Sequence, residues 1–382
     1  MRILFLVGRL SAGGAERVAT TLSSAWAEAG HQVTLTTTFL PKGECFYPLS
    51  PKVDLHHLAD DVTPCAQPLL TYRKLAAMRA LLTEGKPDVV VSFLTNVNIM
   101  ALLASTGLRV PLIVCERTDP VHGRSAGGVL KVLRRLLYPR AAAVVVQTQA
   151  AMQGMRGQAP GVSRMRAIGN PLPEALERFD RERGGKRVGA VAATPDSPRV
   201  LTAMGRLIAS KQFDVLIRVF ASLAERHPHW RLDIWGEGPM RASLQEQIAA
   251  SGLSERIRLA GRTSEPWQAM AQADAFAMTS AVEGFPNVLL EAMALGLPCV
   301  ALDCPSGPAE MTRQGEDALL VPMGDELALA QALDKLMHDD SLRTAMGRRA
   351  AVSVRARYGL PAVLTQWQTL MSDVTKAGKK DE

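Results

Sequence analysis

Residues 271–298 read AQADAFAMTSAVEGFPNVLLEAMALGLP, and three signals in that stretch decide the fold. AQADAFAMTSA alternates apolar and small residues as a buried strand does, and the strand is expected to end near Ser280. NVLLEAMALG carries apolar residues at helical spacing and stops at Gly296-Leu297-Pro298, a glycine followed closely by proline. Between them, residues 284–287 form a loop whose backbone N–H groups open the helix and favour an anion. Glu283 and Glu291 stand on either side of that loop. Each can accept hydrogen bonds from two neighbouring hydroxyls, as a sugar or ribose diol presents them. Two surface glutamates on an ordinary βα unit would look the same, so the rest of the chain has to decide.

Outward from this unit the same alternation repeats. RILFLVGRL, HQVTLTTTF, DVVVSFL, PLIVCER and AAAVVVQT read as strands separated by helical stretches such as ERVATTLSSAWAEAG and TYRKLAAMRALLTEG. A polar, charge-rich segment follows, and then RVLTAMGRL, WRLDIWGEG, IRLAGR, AFAMTS, PCVALDC and ALLVP restart the series. Strands alternating with helices imply parallel, doubly wound sheets. The expected class is therefore α/β with two facing Rossmann-like domains and an interdomain cleft. The expected boundaries are a first domain over 1–173, a linker over 174–198, a second domain over 199–355 and a C-terminal helix, about 356–382, completing the first.

At 382 residues the chain exceeds one core, and 47% hydrophobic with 21% charged residues excludes bulk disorder. No apolar run reaches the ~18 residues that span a bilayer. MRILFLVGRL is read as a first strand rather than a signal peptide, because Arg9 interrupts a short apolar core. Five scattered cysteines (Cys45, Cys65, Cys115, Cys299, Cys304) form no C-x2-C pair, which points to a reducing, cytoplasmic setting and no structural zinc. The net charge of +7 is uneven: residues 1–170 carry 19 Lys+Arg against 10 Asp+Glu, the remainder 25 against 27. A basic first half attracts nucleic acid, anionic membrane or phosphorylated ligands. With aromatics only 5% of the chain, nucleic acid would lack stacking platforms.

Candidate ligand-binding residues fall at successive strand ends. After the first strand, Gly13 and Gly14 let backbone approach an anion at a helix start, in a spacing that is not the G-x-G-x-x-G dinucleotide fingerprint. Gly205-Arg206 leaves a strand and Lys211 follows on the loop, so two cations can face a diphosphate. Gly236 and Gly238, in WGEG, permit close approach of a base or phosphate, and Arg262 follows the next strand. Ser306, Gly307 and Glu310 follow another. Residues 127–140, GGVLKVLRRLLYPR, form a helix with Lys131, Arg134 and Arg135 against Val129, Leu130, Leu133, Leu136 and Leu137, as a helix lying on an anionic membrane would.

The combination G-R-L-x4-K, W-G-E-G and E-G-F-P-N-V-x2-E-A-M-A-x-G-x-P resembles the family-four retaining glycosyltransferases of the GT-B fold over nearly the whole chain. Within that family, GGAER, the ERTDP of residues 116–120, Asn170-Pro171 and DCPSGPAE are similar to bacterial enzymes extending polyprenyl-diphosphate-linked or lipopolysaccharide glycans. The resemblance implies a hexose or N-acetylhexosamine transferred from a nucleotide-sugar, a UDP-sugar, to a lipid-linked acceptor, on the cytoplasmic face of the plasma membrane. Arg206 and Lys211 would neutralise the departing diphosphate, Glu283 would contact the transferred sugar and Glu291 the ribose. Backbone N–H groups of Phe285, Asn287 and Val288 would bind sugar hydroxyls or phosphate, with Gly13 and Gly14 closing on the diphosphate. No D-x-D triplet occurs, so no metal and no other cofactor is expected. Many relatives carry a histidine where this chain has Cys115-Glu116-Arg117; the resemblance implies that Glu116 takes its place on the acceptor side, against donor sugar or acceptor, with Arg117 on an acceptor phosphate and His122 nearby read as a surface residue. An epimerase of the same fold and a basic nucleic-acid-binding protein are the alternative readings.

Overall fold

A computed structural model describes residues 1–39, 45–62, 66–122, 127–184 and 198–380. The chain divides into two compact units, one formed by Met1–Pro171 with Leu360–Glu382 and the other by Leu172–Gly359.

The first unit holds strands β1 (Arg2–Val7), β2 (Gln32–Thr37), β3 (Asp54–His57), β4 (Val89–Phe93), β5 (Leu112–Cys115), β6 (Ala143–Val146) and β7 (Met165–Ala167). They form one sheet in the order β3-β2-β1-β4-β5-β6-β7, every neighbouring pair parallel. The central strands are continuous apolar runs because helices cover both faces; every residue of β4, VVVSF, is buried. One of those faces is closed by the C-terminal helix Leu360–Lys380, whose Val363, Trp367, Leu370, Met371 and Val374 join the core around Phe5 and Trp26. Trp367 meets Trp26 edge-on at 5.6 Å, a geometry that adds about 0.5–1.5 kcal/mol to the area it buries.

The second unit holds β8 (Arg199–Met204), β9 (Trp230–Trp235), β10 (Ile257–Gly261), β11 (Ala275–Met278), β12 (Cys299–Leu302) and β13 (Leu319–Val321). Their order is β10-β9-β8-β11-β12-β13, again all parallel. The strand order reverses between β8 and β11. Loops leaving the carboxyl ends on either side of such a reversal part and leave a crevice, the place where open α/β sheets bind ligands.

Two expectations are corrected. Part of the expected linker is a helix, Glu174–Glu182, because Leu176 and Phe179 fall three apart on one face of an otherwise charged segment and pack into the second unit's core. Residues 185–197 of that segment lie outside the described residues, as does Cys65. The sequence patterns also omitted β3 and β7, the two edge strands of the first sheet, of four and three residues. Cys115, Cys299 and Cys304 are buried. Among the described residues no helix is long and apolar enough to cross a membrane.

Candidate active site

At the carboxyl edge of the second sheet, the loops after β8, β9 and β10 are joined backbone to backbone. Gly205 N–H donates to Trp235 O (2.9 Å), Leu207 N–H to Glu237 O (3.0 Å) and Gly236 N–H to Gly261 O (2.8 Å). Gly236 sits at φ +144, and a Cβ there would lie 1.8 Å from the Gly205 carbonyl oxygen; one on Gly238 would lie 2.3 Å from that of Leu207. The glycines of WGEG are therefore required by the approach of the chain to itself. Their effect on the site is indirect: the zipped loops leave Arg206 exposed at the strand end, with no ion pair or hydrogen bond of its side chain among the described residues. Arg262 emerges, also exposed, directly after Gly261, which adopts φ +80.

Lys211 ends a short turn, Ala209–Lys211, and Gln212 reverses the chain with φ +49. Two bonds fasten this turn to the loop after β11: Ala281 N–H to Ser210 O (2.8 Å) and Thr279 Oγ1 to Lys211 O (2.9 Å). The Lys211 ammonium then donates to the Glu283 carboxylate, both side chains being mostly buried. This ion pair bridges the loops of β8 and β11, the two strands between which the sheet order reverses. Beside it the Cys304 thiol is pushed up to about 12 by burial and by the charge of Glu283, so it stays neutral.

The helix expected after residues 284–287 runs Asn287–Ala294. Its entry is braced by Gly307, at φ +148, where a Cβ would fall 2.5 Å from Pro286 Cδ. Phe285 is buried and meets Tyr358 edge-on at 5.5 Å. The Asn287 N–H already donates to Phe285 O (2.9 Å), which corrects the expectation that it is held for a ligand, whereas Val288 is half-buried in the first turn. Glu291, on the next turn, is 3% exposed and accepts a hydrogen bond from Trp267 Nε1 at 2.8 Å. Sequence reading missed Trp267. Its only local signal is an aromatic residue after Pro266 at a helix start.

In the first unit the expected site residues turn inward. Glu116 is 2% exposed and its carboxylate accepts from Tyr138 OH and from Thr95 Oγ1 (2.8 and 3.0 Å). Arg134 lies 3.9 Å from the same carboxylate, is itself 2% exposed, and donates to Gln158 Oε1 (2.9 Å). Two expectations fall together. Glu116 does not face an acceptor and Arg134 does not face a membrane, because each provides the charge that makes the other's burial tolerable. Arg117 is buried against the Phe93 ring (4.3 Å) and donates to Asn170 Oδ1, which Gln147 also contacts at 2.9 Å. Burial lowers the Arg117 guanidinium to about 10. At the start of helix Gly14–Glu28, the space beside Gly13 is taken by the Glu16 carboxylate, which lies 2.2 Å from where a Cβ would be. That helix N-terminus thus carries an anion of its own chain. His122 is exposed beside Asp119 at 3.1 Å.

On helix Gly128–Leu137, Leu130, Leu133 and Leu137 pack into the core. Val129, Val132 and Leu136 are 75, 58 and 64% exposed, alongside exposed Lys131 and Arg135.

Residues 13–171 match the glycosyl transferase 4-like domain, and residues 190–352 match glycosyl transferases group 1. The chain is 31% identical to the amylovoran biosynthesis glycosyltransferase AmsD of Erwinia amylovora, over 97% of this chain and 99% of that one. It is 25% identical, over 99% of its length and 100% of the relative's, to the GalNAc-alpha-(1->4)-GalNAc-alpha-(1->3)-diNAcBac-PP-undecaprenol alpha-1,4-N-acetyl-D-galactosaminyltransferase of Campylobacter jejuni. An exopolysaccharide phosphotransferase of Streptomyces coelicolor matches 95% of this chain at 28% identity, and the chain spans 39% of that protein. The fold is shared with HepE from Anabaena, solved in complex with UDP, at a TM-score of 0.76 and 19% identity, covering 98% of this chain and 100% of that one.

Proposed function

The chain belongs to the glycosyltransferases, with the two Rossmann-like units of the GT-B fold, and on that premise we propose that it transfers a hexose or N-acetylhexosamine from a UDP-sugar to a lipid-linked glycan acceptor, with retention of configuration and without a metal ion. The observation that carries this reading is the Lys211–Glu283 pair at the reversal of strand order, with exposed Arg206 on the same edge. When the bond from the sugar C1 to the diphosphate breaks, negative charge grows on the departing oxygens. Arg206 and Lys211 supply fixed positive charge there, which is the task a divalent ion performs elsewhere. Glu283, oriented by Lys211, accepts from hydroxyls of the transferred sugar, and Glu291, oriented by Trp267, accepts from the ribose. The acceptor hydroxyl attacks from the face the diphosphate leaves, and its proton passes to the departing phosphate oxygen. No carboxylate is needed as base.

A UDP-bound structural neighbour and a relative named for an undecaprenyl-diphosphate-linked substrate support the donor and acceptor classes. The test is transfer of radiolabelled sugar from a panel of UDP-sugars to polyprenyl-diphosphate-linked oligosaccharides, with and without EDTA. The expected product has the donor's anomeric configuration and forms equally in both conditions. An inverted product, or transfer abolished by EDTA, would contradict the mechanism.

The exposed Val129, Val132 and Leu136 alongside Lys131 and Arg135 support peripheral contact with an anionic bilayer, which this reading puts on the cytoplasmic side. Each cation near such a surface contributes about 1 kcal/mol. Lys131→Ser with Arg135→Ser should therefore weaken binding to phosphatidylserine liposomes about 30-fold at low salt. Unchanged sedimentation of the double variant would remove the contact.

A further inference from the structure

The second unit has a cavity of about 380 Å³ at the opposite end of its sheet from the candidate active site. Asp274 and Pro298, which line it, directly precede β11 and β12. In a parallel sheet they mark the amino edge, whereas Arg206, Lys211 and Glu283 follow the carboxyl ends. Its volume falls at the small end of the roughly 300–1,000 Å³ typical of small-molecule sites.

The charge lining this cavity does not balance. Arg183, Arg343, Arg348 and Arg355 face it with only Asp180 and Asp274. Asp274 is already answered from outside the cavity by Arg199 (3.2 Å) and the Val200 N–H (2.9 Å). Arg343 is likewise committed, to Asp340 and to the carbonyls of Leu336 and Met337. What remains is one carboxylate, Asp180, shared by Arg183 (2.6 Å) and Arg355, together with Arg348, which is exposed at the rim with no ion pair among the described residues. Two positive charges are left over. The Nε–H of Arg183 is buried and has no acceptor among the described residues.

The walls are held in place. Gly347 packs so tightly on helix end Gly296 that a Cβ would lie 2.0 Å from the Gly296 carbonyl oxygen, and Arg355 caps that same helix through Ala294 O at 2.8 Å. Leu295, Pro298 and Val352 add apolar surface beside the cations. A dianion with a compact body satisfies both features; a nucleotide-sugar is too large for the space.

We propose that this cavity is a second ligand site, separate from the donor site, which binds a phosphate monoester dianion through Arg183, Arg348 and Arg355. The body of the ester lies against Leu295, Pro298 and Val352. The inference does not depend on the sugar, acceptor or stereochemistry of transfer.

The full-length protein is titrated with glucose 1-phosphate, inorganic phosphate and neutral glucose at matched ionic strength, and binding is read by calorimetry and by thermal stabilisation. Both phosphates are expected to bind and glucose is not. Tighter binding of glucose 1-phosphate than of inorganic phosphate supports the ester, and equal binding would overturn the role of the apolar wall and with it the monoester assignment. Arg348→Gln removes an exposed, unpaired side chain and should weaken binding about tenfold, the worth of one charge-assisted hydrogen bond. Arg206→Gln, at the other edge, should leave it unchanged. Binding lost in Arg206→Gln and kept in Arg348→Gln would place the anion at the donor site and overturn the proposal, as would the absence of binding by either phosphate.

Discussion

Lys211→Ala should lower the turnover number by on the order of 10²- to 10³-fold, the cost of removing one preorganised group that meets developing charge. The expectation follows from the position of Lys211 on a turn fastened at both Ser210 and Lys211 to the loop of the neighbouring strand, so its ammonium is fixed before the diphosphate departs. A group held in place spends no reorganisation at the moment of bond breaking. The barrier should rise by about 3–4 kcal/mol while the donor's KM changes less, because the charge it meets is greater in the transition state than in the bound donor. Glu283 would lose the partner that orients it, adding to the loss. Lys211→Arg should recover part of the rate by restoring charge with altered geometry. Adding Mg²⁺ to Lys211→Ala should recover none. Steady-state kinetics of the three proteins decide the matter: a Lys211→Ala rate within twofold of the parent removes Lys211 from the chemistry.

The parallel sheets were legible because a strand buried on both faces must be apolar along its length, as VVVSF of β4 is. That same logic fails for β3, whose DLHH is mostly polar because an edge strand meets solvent; Asp54 is exposed and the other three residues are half-buried. The loops of the second unit were legible as glycine-rich strand ends, but not the reason for the glycines. Gly236 and Gly238 are required by carbonyl oxygens of residues 205 and 207, about thirty positions away in sequence, and only folding brings these together. Trp267 and Glu291 illustrate the same limit, since neither residue's neighbours in sequence announce the hydrogen bond between them. Helix Gly128–Leu137 shows where a local pattern misleads. Its three cations share one composition signal, yet Lys131 and Arg135 are exposed while Arg134 is buried. What selects Arg134 is a carboxylate eighteen residues earlier.

That pairing has a measurable consequence for the first unit. Arg134→Met keeps most of the side-chain volume but leaves the Glu116 carboxylate buried without a countercharge, and should cost about 3–5 kcal/mol. The cost should depend on pH in a defined direction. Burial raises the Glu116 carboxyl above the usual carboxylate range, while the Tyr138 hydrogen bond, Arg134 and Thr95 oppose that rise. Without Arg134 the folded-state value climbs further. A folded state that binds the proton more tightly than the unfolded chain gains stability as pH falls and loses it as pH rises through the folded value. The deficit of Arg134→Met should therefore be larger at about pH 8 than at about pH 5, where Glu116 can take up its proton and stay buried as a neutral acid. Adding Glu116→Gln should restore much of the loss and remove the pH dependence, because the amide needs no countercharge. Urea unfolding of the single and double variants at the two pH values measures all of this. A deficit equal at both, or one that Glu116→Gln deepens, would mean that Arg134 stabilises the unit through its bond to Gln158 and its packing rather than through the buried carboxylate.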